Sequence, residues 1–109
     1  MPKYGMAIVR GRSMLPTLRD GDRLLVRYAG RPPRPGALAL VRLPGRPLSV
    51  KRVTSRTADG WWVERDNPDE GVDSWLVGAI PDHDLLAVVL CRLWPRPGRL
   101  PGTGSPSAG

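Results

Sequence analysis

Short apolar stretches separated by turn residues account for most of this chain, and helical periodicity is nearly absent. The stretches are rich in Val and Leu, and several alternate charged with apolar residues, as half-buried strands do. The stretch at 85–93 is the most apolar, which predicts that it is the central strand. The predicted strands cover residues 4–9, 23–28, 37–43, 48–56, 61–64 and 85–93, with a further short one at 75–80.

Turn sequences separate these stretches and indicate how the predicted strands connect. Asp20-Gly21-Asp22 is one turn, and Ala58-Asp59-Gly60 joins the clearest predicted hairpin, between 48–56 and 61–64. The pattern predicts a mostly β fold, with one small antiparallel domain over residues 1–94 and long irregular loops. Residues 95–109 are rich in Pro, Gly and Ser and predict a disordered tail.

Composition narrows the class of protein. The length of 109 residues suits one domain. Cys91 and His83 are the only cysteine and histidine, which excludes a disulfide scaffold and a cysteine-based zinc site, so no metal or cofactor is expected. The longest apolar run, at 85–91, falls well short of the roughly 20 residues of a membrane-spanning helix. Because no secretory signal peptide is visible, we expect a soluble cytoplasmic protein.

The formal net charge of +7 raises the question of a polyanionic partner, because Lys and Arg total 17 against 10 Asp and Glu. The arginines, however, are scattered through strands and turns rather than clustered in one block. We therefore interpret the charge as a background of arginine use and expect no nucleic-acid partner.

Two residues stand out as candidates for chemistry. Ser13 follows Gly11 at the end of a predicted strand, where glycine permits a close approach of another chain. Lys51 is flanked by valines in the strand 48–56 and is, with Lys3, one of only two lysines. A desolvated lysine can lose its proton near neutral pH, whereas an arginine cannot. Taken singly, each is better explained as structural: a serine in a turn, or a solvated lysine on a strand face.

Two further segments are less distinctive by themselves. Gly21-Asp22 leads into the strand 23–28, as an ordinary turn would. The run 66–74 is a dense acidic turn, and a solvent-facing loop would explain it. A calcium loop is a weaker alternative, because the ligand spacing does not fit an EF-hand.

In order and spacing, these four segments resemble the motifs of the type I signal peptidase family, which shares a Ser–Lys catalytic clan with the self-cleaving SOS repressors. The resemblance runs from about Val9 to Trp94 and implies a signal-peptidase-like β domain with coiled sheets. The matching motifs are Ser13-Met14-Leu15-Pro16-Thr17, Gly21-Asp22, Lys51-Arg52-Val53, and Asp66-Asn67 with Asp73-Ser74 and Gly78.

The resemblance assigns roles to these residues. Ser13 would be the nucleophile, Lys51 the general base, and the Ser13 N–H an oxyanion donor. The nucleophile loop would comprise Gly11, Ser13, Met14 and Pro16. Arg52 would pair with Asp66. The supporting residues would be Asp22, Arg52, Asp66, Asn67, Asp73 and Ser74.

The chain departs from the family pattern at three positions. Arg65 stands where the family usually has Gly, and Trp75 stands where it has Arg, which removes an expected partner of Asp73. Gly71 replaces a serine that orients the lysine in relatives, so Lys51 would be oriented by water, by Ser74 or by backbone.

Only twelve residues precede Ser13, and they predict a strand rather than a membrane anchor. A short chain of this kind most resembles the maturation proteases of nickel-type superoxide dismutase. The resemblance implies a serine endopeptidase with a Ser–Lys dyad that removes an N-terminal leader peptide, with the precursor of that dismutase as a candidate substrate.

Two alternatives stay open from the sequence. One is a catalytically inactive, arginine-rich β module that binds peptide or nucleic acid. The other, compatible with catalysis, is peripheral membrane association, with Met14, Leu15 and arginines contacting anionic lipid.

Overall fold

The computed structural model describes residues 3–28 and 30–102. Within them, six antiparallel strands form one open sheet, in the order β1-β2-β6-β3-β4-β5. One short helix, α1, and one 3₁₀ turn lie between β5 and β6. The strands are β1 (Tyr4–Ile8), β2 (Arg23–Arg27), β3 (Leu38–Arg42), β4 (Leu48–Thr57), β5 (Gly60–Glu64) and β6 (Leu85–Trp94); α1 is Ser74–Val77 and the 3₁₀ turn is Asp82–Asp84.

The predicted mostly β fold is confirmed, and β6 is central as its apolar character suggested. It pairs with β2 on one side and β3 on the other. The hairpin between β4 and β5 is also present, with Val53 opposite Val63. Six predicted strands therefore agree with the structure, each with ends within about two residues of the prediction.

The sheet carries a core on each face. Side chains alternate along β3, so Leu38 and Leu40 pack in a first core cluster with Leu24 and Val89. Ala39 and Val41 pack in a second core cluster with Val63 and Ile80. On the neighbouring strand, Lys51 lies opposite Ala39 and Arg52 lies opposite Leu38. Lys51 therefore faces the second core cluster, and Arg52 faces the first.

The predicted short strand at 75–80 is wrong over most of its length. The buried Asp73 caps a helical turn there, because its Oδ1 accepts a hydrogen bond from the Trp75 N–H at 3.1 Å. The turn ends at Gly78, whose φ of +84° suits glycine. Only Ile80 pairs with a strand, through a two-way bridge to Trp61.

Residues 74–80 cover the outer edge of β5. The Ser74 hydroxyl accepts a hydrogen bond from the Val63 N–H at 2.8 Å, and Ile80 and Trp61 exchange two bonds of 2.7 Å. This cover blocks that edge of the sheet from pairing with another chain.

The segment after β6 belongs partly to the domain. Gly98 bridges to Arg92, and Leu100 is only 4% exposed within the first core cluster. Within the expected disordered tail, Gly98 is therefore bridged to β6 and Leu100 is packed in the core, whereas 103–109 lie outside the described residues. In the part of the chain that the structure describes, no helix is both long and apolar enough to cross a membrane.

Candidate active site

The loop between β1 and β2 holds Ser13 at the surface of the domain. Met14 and Leu18 are buried in the first core cluster and anchor the loop, and the Leu18 N–H bonds to the Met14 carbonyl at 2.9 Å. Gly11 has a φ of +84° and donates its N–H to the Asp20 carboxylate at 2.7 Å. Ser13 thus lies, half-buried, between a tight glycine turn and a core anchor.

Met14 has a structural role. It is 2% exposed, and its sulfur accepts the Asp66 N–H at 3.4 Å. The expectation that Met14 contacts lipid is therefore wrong, because its side chain is enclosed by the protein. Leu15, the other apolar residue of that hypothesis, is half-buried.

Lys51 approaches Ser13 from β4. Its side chain is enclosed, with 3% of the residue exposed, and its Nζ lies 2.6 Å from the Ser13 Oγ. Burial lowers the pKa of Lys51; nearby Asp73 opposes this effect, while Arg65 and Arg46 add to it. A neutral amine at this distance can accept the serine proton.

Asn67 fixes the backbone around Ser13. Its N–H donates to the Ser13 carbonyl at 2.8 Å, and its side-chain Nδ2 donates to the Arg12 carbonyl at 2.9 Å. The Ser13 N–H has no acceptor among residues 3–28 and 30–102. It is therefore free to donate to an oxyanion.

Arg52 and Asp66 form a two-pronged ion pair on the sheet face opposite Lys51. Arg52 Nε lies 3.1 Å from Oδ1, and Nη2 lies 2.6 Å from Oδ2. The Thr17 hydroxyl also donates to Asp66, at 2.6 Å. Burial alone would raise the pKa of Asp66, but these hydrogen bonds and the Arg52 charge outweigh it and lower the pKa.

Arg52 also ties in two distant segments through its remaining nitrogen. Nη1 donates to the Gly36 carbonyl at 2.7 Å and to the Pro101 carbonyl. Arg52 therefore links the loop that carries Asp66 to the loop before β3 and to the segment after β6.

Asp22 supports the loop between β1 and β2 and has hydrogen bonds to neither Ser13 nor Lys51. It is buried, and its carboxylate accepts the Arg19 N–H at 3.0 Å and pairs with Arg92 at 3.6 Å. Its carbonyl accepts the Val9 N–H at 2.8 Å, which closes the base of the loop. Pro16 is exposed in the same turn.

Ser74 and Asp73 have other partners than the lysine amine. The Ser74 hydroxyl is engaged by Val63, as described above. Asp73 Oδ2 accepts the Arg65 N–H at 3.1 Å and lies 3.5 Å from Arg65 Nη1. Within the described ranges, Lys51 Nζ hydrogen-bonds to Ser13 alone.

Gly71 packs directly on Ser13. It has a φ of +115°, and a Cβ there would lie 2.4 Å from the Ser13 Cβ, closer than side chains tolerate. In this conformation the position has no room for the serine that relatives use, and the glycine backbone closes one side of Ser13 instead.

Arg65 is a site residue whose role the family pattern does not predict. Its guanidinium reaches Asp73 and also donates to the Asn67 carbonyl at 2.8 Å and the Pro68 carbonyl at 2.9 Å. The sequence did contain a signal for this role. Relative to the family motif, an arginine is lost at Trp75 and an arginine is gained at Arg65, so one cation could replace the other.

A cleft of about 240 Å³ opens beside Ser13 and Lys51. Its other lining residues combine apolar and charged side chains with glycine and proline: Arg10, Gly11, Arg12, Leu43, Arg46, Pro47, Leu48, Ser49, Glu70, Gly71 and Val72. A larger cavity of about 570 Å³ lies elsewhere, lined by Arg27, Trp61 and Leu85 among others. It contains neither Ser13 nor Lys51, so we place the candidate site in the smaller cleft.

The structure is thus a small β domain that sets the Ser13 hydroxyl beside the buried amine of Lys51. The family model described as Peptidase S24-like matches residues 2–89. The chain therefore belongs to the Peptidase S24-like family. A search of curated proteins returns no match to the chain.

Proposed function

We propose that the protein is a serine endopeptidase in which Ser13 and Lys51 form the catalytic dyad. One observation carries the proposal: the Ser13 hydroxyl lies 2.6 Å from the amine of a lysine whose pKa is lowered by burial. Membership of a peptidase family supports the same reaction class. No histidine is needed, because a neutral lysine can act as the base.

The proposed reaction uses the groups already described. Lys51 takes the Ser13 proton while Oγ attacks the scissile carbonyl, and the Ser13 N–H donates to the resulting oxyanion. The Lys51 ammonium then protonates the leaving amine, which leaves an acyl-enzyme and a neutral lysine. Lys51 next deprotonates a water molecule, which attacks the acyl carbonyl. As this second tetrahedral intermediate collapses, the ester bond to Oγ breaks, the Lys51 ammonium returns the proton to Oγ, and the acid product leaves.

The proposed substrate is the N-terminal leader of a precursor protein, bound as an extended strand. β1, which leads into the Ser13 loop, is an edge strand of the sheet, and edge strands can pair with extended peptides. The precursor of a nickel-type superoxide dismutase is the specific candidate. The resemblance of the Asp66-Asn67 and Asp73-Ser74 motif to that group of maturation proteases supports it.

Co-expression with a leader-bearing precursor tests the proposal. The wild type is expected to shorten the precursor at one N-terminal bond, as read by intact-mass spectrometry. Ser13→Ala and Lys51→Met are expected to lower cleavage by about a thousandfold or more. Lys3→Met is the matched control, because Lys3 is the only other lysine and is exposed. Equal cleavage by all four proteins would overturn the dyad.

The inactive-module alternative predicts the opposite pattern. It requires no Ser13-dependent cleavage of any precursor, together with salt-sensitive binding of peptide or nucleic acid that Ser13→Ala leaves intact. The same purified proteins distinguish the two hypotheses.

A further inference from the structure

The cleft beside Ser13 combines an apolar lining with a cationic rim. Leu43, Leu48 and Val72 supply apolar surface, while arginines reach it from two loops. Two of these arginines, Arg10 and Arg12, precede the nucleophile, and Arg46 comes from the turn between β3 and β4.

The acidic groups near the cleft already have arginine partners. Glu70 lies 3.7 Å from Arg12, and Asp73 lies 3.5 Å from Arg65. Arg10 and Arg46 have no acidic partner among residues 3–28 and 30–102. With Lys51 neutral, the cleft therefore carries two uncompensated positive charges.

These charges act where the substrate would react. Arg10 lies three residues before Ser13, and Arg46 is close enough to Lys51 for its charge to help lower the lysine pKa. Both arginines line the same cleft of about 240 Å³ as Ser13, so an extended peptide bound there, which advances about 3.3 Å per residue, would pass them within a few residues of a bond held at Ser13.

We propose that this cleft selects peptides with Asp or Glu within about three residues of the scissile bond, read by Arg10 and Arg46. The inference rests on the proposed peptidase function and adds a substrate class to it. An acidic side chain would compensate the two free arginines, whereas a lysine or arginine at the same place would be repelled.

A peptide library tests the specificity. The purified full-length protein is incubated with peptides from a proteome digested by an unrelated protease, and new termini are mapped by mass spectrometry. Asp and Glu are expected to be enriched roughly two- to fivefold near the cut sites for each arginine engaged, with the enrichment declining as salt rises.

Charge-reversal variants identify the arginines responsible. Arg10→Glu and Arg46→Glu are expected to lose the acidic preference and to favour Lys or Arg, mainly through KM. Arg34→Glu is the control, an exposed arginine outside the cleft. Cleavage without acidic enrichment, or an unchanged profile in both cleft variants, overturns this inference. Cleavage that is absent, or identical in Ser13→Ala, instead overturns the proposed function itself.

Discussion

Arg65 supplies to Asp73 the positive charge that the sequence lacks at Trp75. Its Nη1 lies 3.5 Å from the Asp73 carboxylate, and its own N–H donates to the same oxygen at 3.1 Å. The guanidinium also holds the carbonyls of Asn67 and Pro68. One side chain thus neutralises the buried carboxylate beside Lys51 and fixes the loop that binds the Ser13 backbone.

Arg65→Met is expected to shift the pH dependence of catalysis. Arg65 helps lower the pKa of Lys51, while Asp73 raises it. Without Arg65 the lysine pKa rises, so the amine becomes neutral only at a higher pH. The acid limb of the kcat/KM profile should therefore move to higher pH, and activity near pH 7 should fall.

Two further variants separate this charge effect from general damage. Arg56→Met also removes an arginine–aspartate ion pair, with Asp82, but one that lies at the surface, and it should leave the acid limb in place. The double variant Arg65→Met/Trp75→Arg places a cation next to the Asp73 cap. The acid limb of its kcat/KM profile should lie between those of the wild type and Arg65→Met. A limb that does not move in Arg65→Met contradicts the assigned role.

Lys51→Met is expected to abolish catalysis yet stabilise the fold near neutral pH. Burial lowers the lysine pKa in the folded state, so the unfolded chain binds more protons between that pKa and about pH 10. Wild-type stability should therefore rise with pH across this window. The methionine variant lacks the titrating lysine and should be at least as stable as the wild type at pH 7.

Parallel denaturation of the two proteins measures the effect. The difference in unfolding free energy between Lys51→Met and the wild type should shrink as the pH rises from 7 towards 10, because groups common to both cancel. A constant difference would show that the buried lysine does not titrate with a lowered pKa.

Much of the fold could be predicted from the sequence, because alternation and turns are local signals. The strands at β4 and β5 were identified from a charged-apolar pattern and an Asp-Gly turn. The helix at Ser74 was missed since one capping contact from Asp73 overrides a short apolar pattern. The packing of Leu100 was missed because its partners are distant in sequence, and its Pro- and Gly-rich surroundings indicate disorder.

The contacts of the candidate site were likewise predicted only in part. The proximity of Ser13 and Lys51 and the pairing of Arg52 with Asp66 were expected from motif resemblance, and both contacts are present. The pairing of Asp73 with Arg65 was not expected, because Arg65 stands at a motif position where the family usually has Gly. Such a replacement depends on which side chains lie close together in the folded protein, and a single sequence does not contain that information.

Asp66→Asn tests the ion pair on the face of β4 opposite Lys51. The lowered pKa of Asp66 means that its stabilisation is complete above about pH 4 and is lost as the pH falls through the folded-state value. The variant should lose about 1–3 kcal/mol at pH 7, because Arg52 keeps its place without a charged partner. It should also unfold with a weaker dependence on acid than the wild type.

Asp82→Asn is the matched control for that experiment. Like Asp66, Asp82 pairs with an arginine, Arg56, but this ion pair lies at the surface. Thermal unfolding should show little change for Asp82→Asn at any pH. Equal destabilisation by both variants would show that the Arg52–Asp66 pair contributes no more than a surface contact.

Gly71→Ala is expected to impair catalysis by displacing Ser13. The new methyl group would lie 2.4 Å from the Ser13 Cβ, and the backbone φ of +115° would also be strained. Gly78→Ala controls for the strain, since Gly78 has a φ of +84° and open space around its Cβ position. Both variants should lose stability, but only Gly71→Ala should lower kcat beyond that loss, by roughly tenfold or more for a misplacement near 1 Å. If the two variants retain the same activity per folded molecule, then contact with Gly71 does not position Ser13.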